Sequence, residues 1–368
     1  MNTEILRRRN LKIREARPLI PRDKVCDIFC DDTLIEVCFL SNQCRNDLRG
    51  ACIMCNYGAT RDTRSPQEYL SCLSRALEDV TPTVHTILLS TNGSFLDERQ
   101  IPEDLLNSIL CYVGKSAMQK VEIETHYADV SEQKLKKIKE MLPEKELLLE
   151  FGLETANHEY HKSLFMKGVN LNALDQTIQC AHALGIKVEC NIMIGLPFIS
   201  EKQQFDDALS SIQWTFAHGC APVLFPVNIK PHTLLMDIYR AGYYKPVSQW
   251  MIPLLLAELT AEQLGQVTVA WFGNREDIYD DNERTIFPVA CEHCNTAIYH
   301  FYQQFLIAED GVKRKELLAR LFSDVPCTCA KQVQHAIDLG GTYTFEDRLT
   351  AYVQHITRRK TRQEEVCP

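Results

Sequence analysis

The sequence predicts an α/β fold built on a parallel sheet with helices outside it. Three observations predict it: six short apolar, β-branched runs recur between residues 34 and 229, segments of helical period separate them, and turn or N-cap residues stand at the joints. Successive βα units of this kind fold as an open doubly wound sheet or as a curled partial barrel. In both, chemistry belongs at the C-terminal ends of the strands.

The strands are expected at Leu34–Ser41, Val84–Thr91, Lys120–His126, Leu147–Thr155, Lys187–Gly195 and Pro222–Ile229. Helices fit between them at Pro66–Val80, Glu103–Val113, Ser131–Met141, Leu171–Leu184 and Glu201–His218. Pro66, Ser131 and Ser200 stand at first-turn or N-cap positions, each followed within three residues by Glu or Gln. After Ile229 come a loop with Pro231 and His232, a helical stretch Trp250–Gly265, a further strand Gln266–Phe272 and an acidic, aromatic segment at 276–287. The rest reads as mostly helical with its own cysteines, ending in a charged tail expected to fray. The expected division is an N-terminal extension at 1–31, the strand–helix array at 32–285 and a C-terminal region at 286–368.

Composition narrows the class. A chain of 368 residues, 45% hydrophobic and 24% charged, can bury a large core, which excludes a disordered or fibrous protein. The best apolar run, Met251–Leu259, is about half a membrane span, and the basic N-terminus leads into no secretory h-region. A cytoplasmic location is therefore expected. A net charge of −9 argues against a surface built throughout for nucleic acid. Sixteen cysteines fall short of the roughly 8–10% of a disulfide scaffold, so in a reducing compartment the clustered ones read as metal ligands or catalytic groups.

Cys44, Cys52 and Cys55 lie in one Gly-containing loop just past the first strand. Three thiolates there can hold three irons of a [4Fe-4S] cluster and leave the fourth open to a ligand; half of a zinc site is the other reading. A second group, Cys291, Cys294, Cys327 and Cys329, forms two close pairs roughly 30 residues apart, consistent with one four-thiolate site for zinc or for a second [4Fe-4S] cluster. Cysteines 26, 30, 38, 72, 111, 180, 190, 220 and 367 read mostly as small buried hydrophobes. Gly114-Lys115-Ser116 is no phosphate loop, because that motif needs Gly where Ile109 stands.

At this point the chain resembles the radical S-adenosylmethionine (SAM) superfamily, and within it most nearly the archaeosine-biosynthesis radical SAM proteins. The cysteine loop carries the likeness, although its first interval is longer than the superfamily's usual three residues. So do Thr91-Asn92-Gly93-Ser94, Gly152-Leu153-Glu154-Thr155, Met166-Lys167-Gly168, Gly195-Leu196-Pro197-Phe198 and Asn228-Ile229-Lys230, in that order at successive strand ends. The resemblance implies a partial (βα)6 TIM-like barrel with a small helical C-terminal region. It implies an enzyme with Cys44, Cys52 and Cys55 as cluster ligands. SAM would lie against Met54, Asn92, Gly93, Ser94, Glu124, Glu154, Lys167, Gly195 and Pro197.

Relatives commonly carry Glu-Ser-Arg where this chain has Glu124-Thr125-His126, and His126 is expected to titrate near neutrality. The implied activity is reductive cleavage of SAM to a 5′-deoxyadenosyl radical that abstracts hydrogen from an unactivated carbon. In archaeosine synthesis a C–N bond of a lysine-modified 7-deazaguanine in tRNA then breaks. The implied partners are a flavodoxin- or ferredoxin-type electron donor and a substrate that is a small molecule, a peptide or tRNA, with no membrane. Two other functions compete: sulfur insertion or another modification by an auxiliary iron–sulfur cluster, making the enzyme a transferase rather than a lyase, and a non-enzymatic zinc-stabilised binding module.

Overall fold

The computed structural model describes residues 2–58, 64–270, 284–308, 310–325 and 327–364. Among them eight strands form one sheet in sequence order: β1 (Cys26–Cys30), β2 (Leu34–Phe39), β3 (Thr86–Thr91), β4 (Lys120–Thr125), β5 (Glu146–Glu154), β6 (Lys187–Ile194), β7 (Ala221–Pro226) and β8 (Thr268–Val269). Strands β2 to β8 are parallel, while β1 folds back antiparallel on β2 through a turn in which Asp31 Oδ1 accepts from the backbone of Thr33 and Leu34. The first and last strands do not pair, so the sheet is a partial barrel.

The helices are α1 (Asn2–Glu15), α2 (Arg45–Leu48), α3 (Pro66–Glu78), α4 (Glu103–Lys115), α5 (Glu132–Met141), α6 (His158–Tyr160), α7 (Leu171–Ala183), α8 (Glu201–Ala217), α9 (Leu234–Arg240), α10 (Met251–Ala257), α11 (Ala261–Leu264), α12 (Glu292–Ile307), α13 (Gly311–Asp324), α14 (Cys329–Leu339) and α15 (Phe345–Glu364). Full capping boxes start α3 at Ser65–Glu68 and α8 at Ser200–Gln203. The single helix expected over Trp250–Gly265 is two, because a third capping box at Thr260–Gln263 starts α11 afresh. Cys367 and residues 271–283 lie outside the described residues.

Alternate residues of each strand point outward or into the lumen. The outward set, including Ile35, Val37, Ile87, Leu89, Val121, Ile123, Leu149, Phe151, Val188 and Ile192, meets the helices in one apolar core. That core continues into α12, α13 and α14 through Ile298, Phe301, Phe305, Leu318 and Ile337. A second apolar cluster covers the mouth of the barrel and joins Leu6 of α1, Ile53 and Met54 of the cysteine loop, Leu234 and Leu235 of α9, and Leu349 and Tyr352 of α15.

Helices α1, α2, α6 and α9 and strand β1 escape the sequence reading, and α1 and β1 are the instructive ones. The buried positions of α1 are Leu6, Asn10 and Arg14, spaced by four on one face, yet two of the three are polar. They are polar because they bind backbone. Asn10 Nδ2 donates to Gly50 O (3.0 Å) and Ala51 O (3.2 Å), and Arg14 donates to Asp47 O (2.8 Å), to Ala51 O and to Cys52 O (2.9 Å). Arg14 and Arg17 also grip the buried Asp47 carboxylate at 2.5 and 2.7 Å. Asp47 presses against Gly58, where a Cβ would fall 2.2 Å from its carboxyl carbon.

Breaking a buried pair strands a charge and costs about 3–5 kcal/mol. Arg14→Ala should therefore lower unfolding stability by that order in urea titration. Because Arg14 holds the backbone of the cysteine loop, the same variant should lose protection of amides 46–55 in hydrogen exchange while β4 to β6 stay protected.

Candidate functional site

The cysteine loop lies over the C-terminal ends of the strands, held from both sides by backbone pairing. Cys52 N donates to Phe165 O (2.7 Å), Ile53 N to Leu164 O (3.2 Å) and Leu235 N to Ile53 O (3.0 Å). Cys44 opens α2 as its N-cap, with its sulfur beside the backbone of Asn46 and Asp47. Cys52 takes the left-handed region at φ 57°, which turns it back toward Cys44 and Cys55. Burial pushes the thiols of Cys44 and Cys52 up, and the ammonium of Lys167 opposes this at both.

Lys167 is a buried ion-pair partner rather than a solvated lysine. Its side chain is 16% exposed and its Nζ pairs with Glu154. Burial alone would lower its pKa, but Glu154 and the thiols of Cys52 and Cys55 outweigh that and raise it. Glu154 reaches the pair from a left-handed conformation at φ 64°, past a register shift in β5. Gly152 makes the room, since a Cβ there would lie 2.7 Å from Glu154 Oε1 and 3.4 Å from Lys167 Nζ.

The segment after β3 knits neighbouring strand ends together. Asn92 Oδ1 accepts from Ser41 N (3.1 Å) and Oγ (2.9 Å), and its Nδ2 donates to Tyr57 O (3.1 Å) beside the cysteine loop. Gly93 leaves space for Gln100, whose amide nitrogen would stand 2.2 Å from a Cβ there. Ser94 Oγ bonds Thr125 Oγ1 (2.8 Å) and Asp129 Oδ2 (2.7 Å), and Asp129 receives both guanidinium nitrogens of Arg45 at 2.8 and 2.9 Å. Gly195, at φ 96°, packs on Val247 and accepts the Tyr244 hydroxyl at 2.6 Å, which fixes the turn carrying Pro197. Met54 is buried in the cluster over the mouth.

His126 departs from the expected neutral titration. Burial, Lys167 and Arg45 depress it to about 3, so it is an uncharged imidazole whose Nδ1 caps Ala128 N. It joins Arg45, Arg49, Arg99, Asp97, Tyr127 and Lys167 around a cleft of about 330 Å³ at the strand ends. The three arginines are missing from the sequence reading. Their one visible signal is the i,i+4 spacing of Arg45 and Arg49 beside Cys44.

Below the cleft the lumen is acidic. Glu36, Glu122, Glu124, Glu150 and Glu189 face it from four strands, against Lys120, which pairs with Glu122 at 2.6 Å. Burial, then Glu36 and Glu154, raise Glu124 to about 7; burial and Glu122 raise Glu189 to about 7. Glu150 is pushed well up by burial, Glu124 and Glu189, while the Asn191 amide bonds it.

Cys291, Cys294, Cys327 and Cys329 converge apart from this site, with all four sulfurs within 4.8 Å of one another. Among the described residues they are the one group of three or more such side chains drawn together for a single ion. Of the remaining cysteines, Cys30 and Cys111 are exposed rather than buried, on the edge strand β1 and on α4. No described helix is long and apolar enough to cross a membrane.

No family model matches the chain. It is 26% identical over 231 residues to an archaeosine synthase subunit beta of Methanosarcina acetivorans, covering 62% of this chain and 67% of that one. It is 22% identical over 272 residues to an uncharacterized protein of Methanocaldococcus jannaschii, covering 69% and 73%. Among solved structures, methylornithine synthase aligns over 91% of each chain at 14% identity and a TM-score of 0.48.

The raised lumen carboxyls set a pH dependence. A carboxyl whose folded pKa lies above its ordinary value stabilises the fold fully below that ordinary value, and the contribution is lost as pH rises through the folded one. Glu189 should therefore stabilise below about 4.5 and cease to do so by about 7. Urea midpoints between pH 5 and 8 should fall with pH in the wild type. Glu189→Gln should flatten that slope by on the order of 1–3 kcal/mol across the window.

Proposed function

We propose that this chain, a radical SAM protein related to archaeosine synthase subunit beta, cleaves SAM reductively and abstracts hydrogen from an unactivated carbon of its substrate. We propose C–N scission of a lysine-modified 7-deazaguanine in tRNA as the reaction. The observation that carries the reading is the meeting of Cys44, Cys52 and Cys55 with the Glu154–Lys167 pair at the strand ends. The identity to an archaeosine synthase beta subunit supports the substrate class.

The donor set suits a [4Fe-4S] cluster. Three cysteines of one loop approach one another without closing on a single ion, as thiols bound to separate irons must. The Lys167 ammonium offsets their negative charge. When bound, the cluster and SAM supply the 5′-deoxyadenosyl radical. Glu154 suits the ribose hydroxyls. Asn92, Gly93 and Ser94 shape the backbone against the methionyl group, and Lys167 with the arginine-lined cleft suits carboxylate or phosphate.

Two further features favour a modified RNA base. The acidic lumen suits a substrate carrying an amine or amidine, since Glu124 near 7 can exchange a proton with such a group. The basic stretch at Arg7–Arg9 lies on α1, which packs beside α15: Asn2 bonds Glu346 and Thr350. Arg7 and Arg8 pair with Glu4 and Arg9 with Asp237, so the cleft, with Arg49 on its lining, is the local site offered to a phosphate. An electron donor of flavodoxin or ferredoxin type completes the reaction.

Cys52→Ala should abolish 5′-deoxyadenosine formation from SAM and dithionite under anaerobic conditions while far-ultraviolet circular dichroism stays unchanged. Undiminished 5′-deoxyadenosine from a folded variant would overturn the assignment.

A further inference from the structure

The spacing of the second cysteine group suits one zinc or a second iron–sulfur cluster alike. We infer that it holds a single tetrahedral divalent ion, zinc by its all-thiolate donor set, and that this ion ties the C-terminal helices to the barrel.

The separations decide the nuclearity. Cys291 and Cys327 have their sulfurs 3.4 Å apart, Cys327 and Cys329 3.1 Å, and all four lie within 4.8 Å. Zinc–sulfur bonds of about 2.3 Å in a tetrahedron place sulfurs about 3.8 Å apart. A cubane puts each thiol on a different iron, outside the corners of a cube, and needs every separation to be wider than in a single-ion site. The quartet encloses one ion and has no room for eight atoms.

The surroundings are those of thiolates. The backbone of Cys329 lies beside the Cys327 sulfur, and that of Cys291 beside the Cys329 sulfur. The indole of Trp250, 1% exposed, lies beside Cys294 with its buried Nε1–H unpartnered. Such outer groups orient and stabilise metal-bound thiolates. They also show what the ion joins: Cys291 and Cys294 begin α12, Cys327 and Cys329 begin α14, and Trp250 begins α10 on the barrel wall.

This inference does not rest on the radical SAM reading, but it bears on it. A single ion holds no sulfide, so sulfur insertion from an auxiliary cluster loses its donor, and the lyase reading keeps all its parts.

The test is metal analysis of the anaerobically purified full chain, with zinc-edge X-ray absorption. The wild type should carry about four irons and four sulfides with one zinc. The zinc should show four sulfurs near 2.3 Å and no neighbouring metal. A variant with Cys44, Cys52 and Cys55 all replaced by Ala should lose the iron and keep the zinc. Cys294→Ser with Cys329→Ser should lose the zinc and keep the iron. About eight irons in the wild type, or a C-terminal quartet that takes up no zinc, overturns the inference. One zinc without iron in the wild type would leave the inference standing and defeat the radical SAM reading instead. Should the double serine variant fail to fold, the absorption edge of the wild type decides alone.

Discussion

The site depends on one buried electrostatic contact, the clasp of Asp47 by Arg14 and Arg17. Charges this deep are costly unless paired and hydrogen-bonded, and here the two guanidinium groups meet both the carboxylate and the loop's carbonyl oxygens. What the clasp secures is conformation. The cysteine loop carries a left-handed Cys52, a conformation a non-glycine residue holds only where its surroundings fix it, beside a Gly50 pressed against Arg7. Helix α1 supplies the missing partners for its carbonyls, as a strand would in a sheet.

Legibility in the sequence followed the physics of each element. The parallel strands were readable because their outward residues alternate with lumen residues, and the helix starts because Ser65, Ser131 and Ser200 bond their own N3 backbone. Helix α1 was not, because hydrophobic periodicity is blind to a buried face made of Leu6, Asn10 and Arg14. Strand β1 was not, because an edge strand with exposed Ile28 and Phe29 shows no inward–outward rhythm. At the site, cysteine spacing located the loop, but the clasp, the arginine cleft and the burial of Lys167 are products of tertiary contact. A lone lysine and three arginines, of which Arg45 and Arg49 alone share a helical spacing, do not by themselves mark a site.

The electrostatics of the barrel divide along its axis. The mouth gathers ion pairs, Lys167 with Glu154, Arg45 with Asp129 and Arg99 with Asp97, and the lumen beneath is lined by carboxyls whose ionisation burial opposes. The mouth acts on the lumen, since Glu154 raises Glu124 and Lys167 lowers it, and within the mouth Lys167 helps keep His126 neutral.

The backbone pairing of the cysteine loop also fixes an order of events in biogenesis. Cys52 and Ile53 bond to residues 164 and 165, and Ile53 bonds again to Leu235. A nascent chain exposes its cysteines early, yet their framework is complete only after Leu235 has emerged, with long-range closure still to come. Until then the three thiols sit on a flexible tether. Assembly of the loop's frame is therefore coupled to nearly complete synthesis of the barrel, and a chain cut short of Leu235 leaves its thiols without that frame.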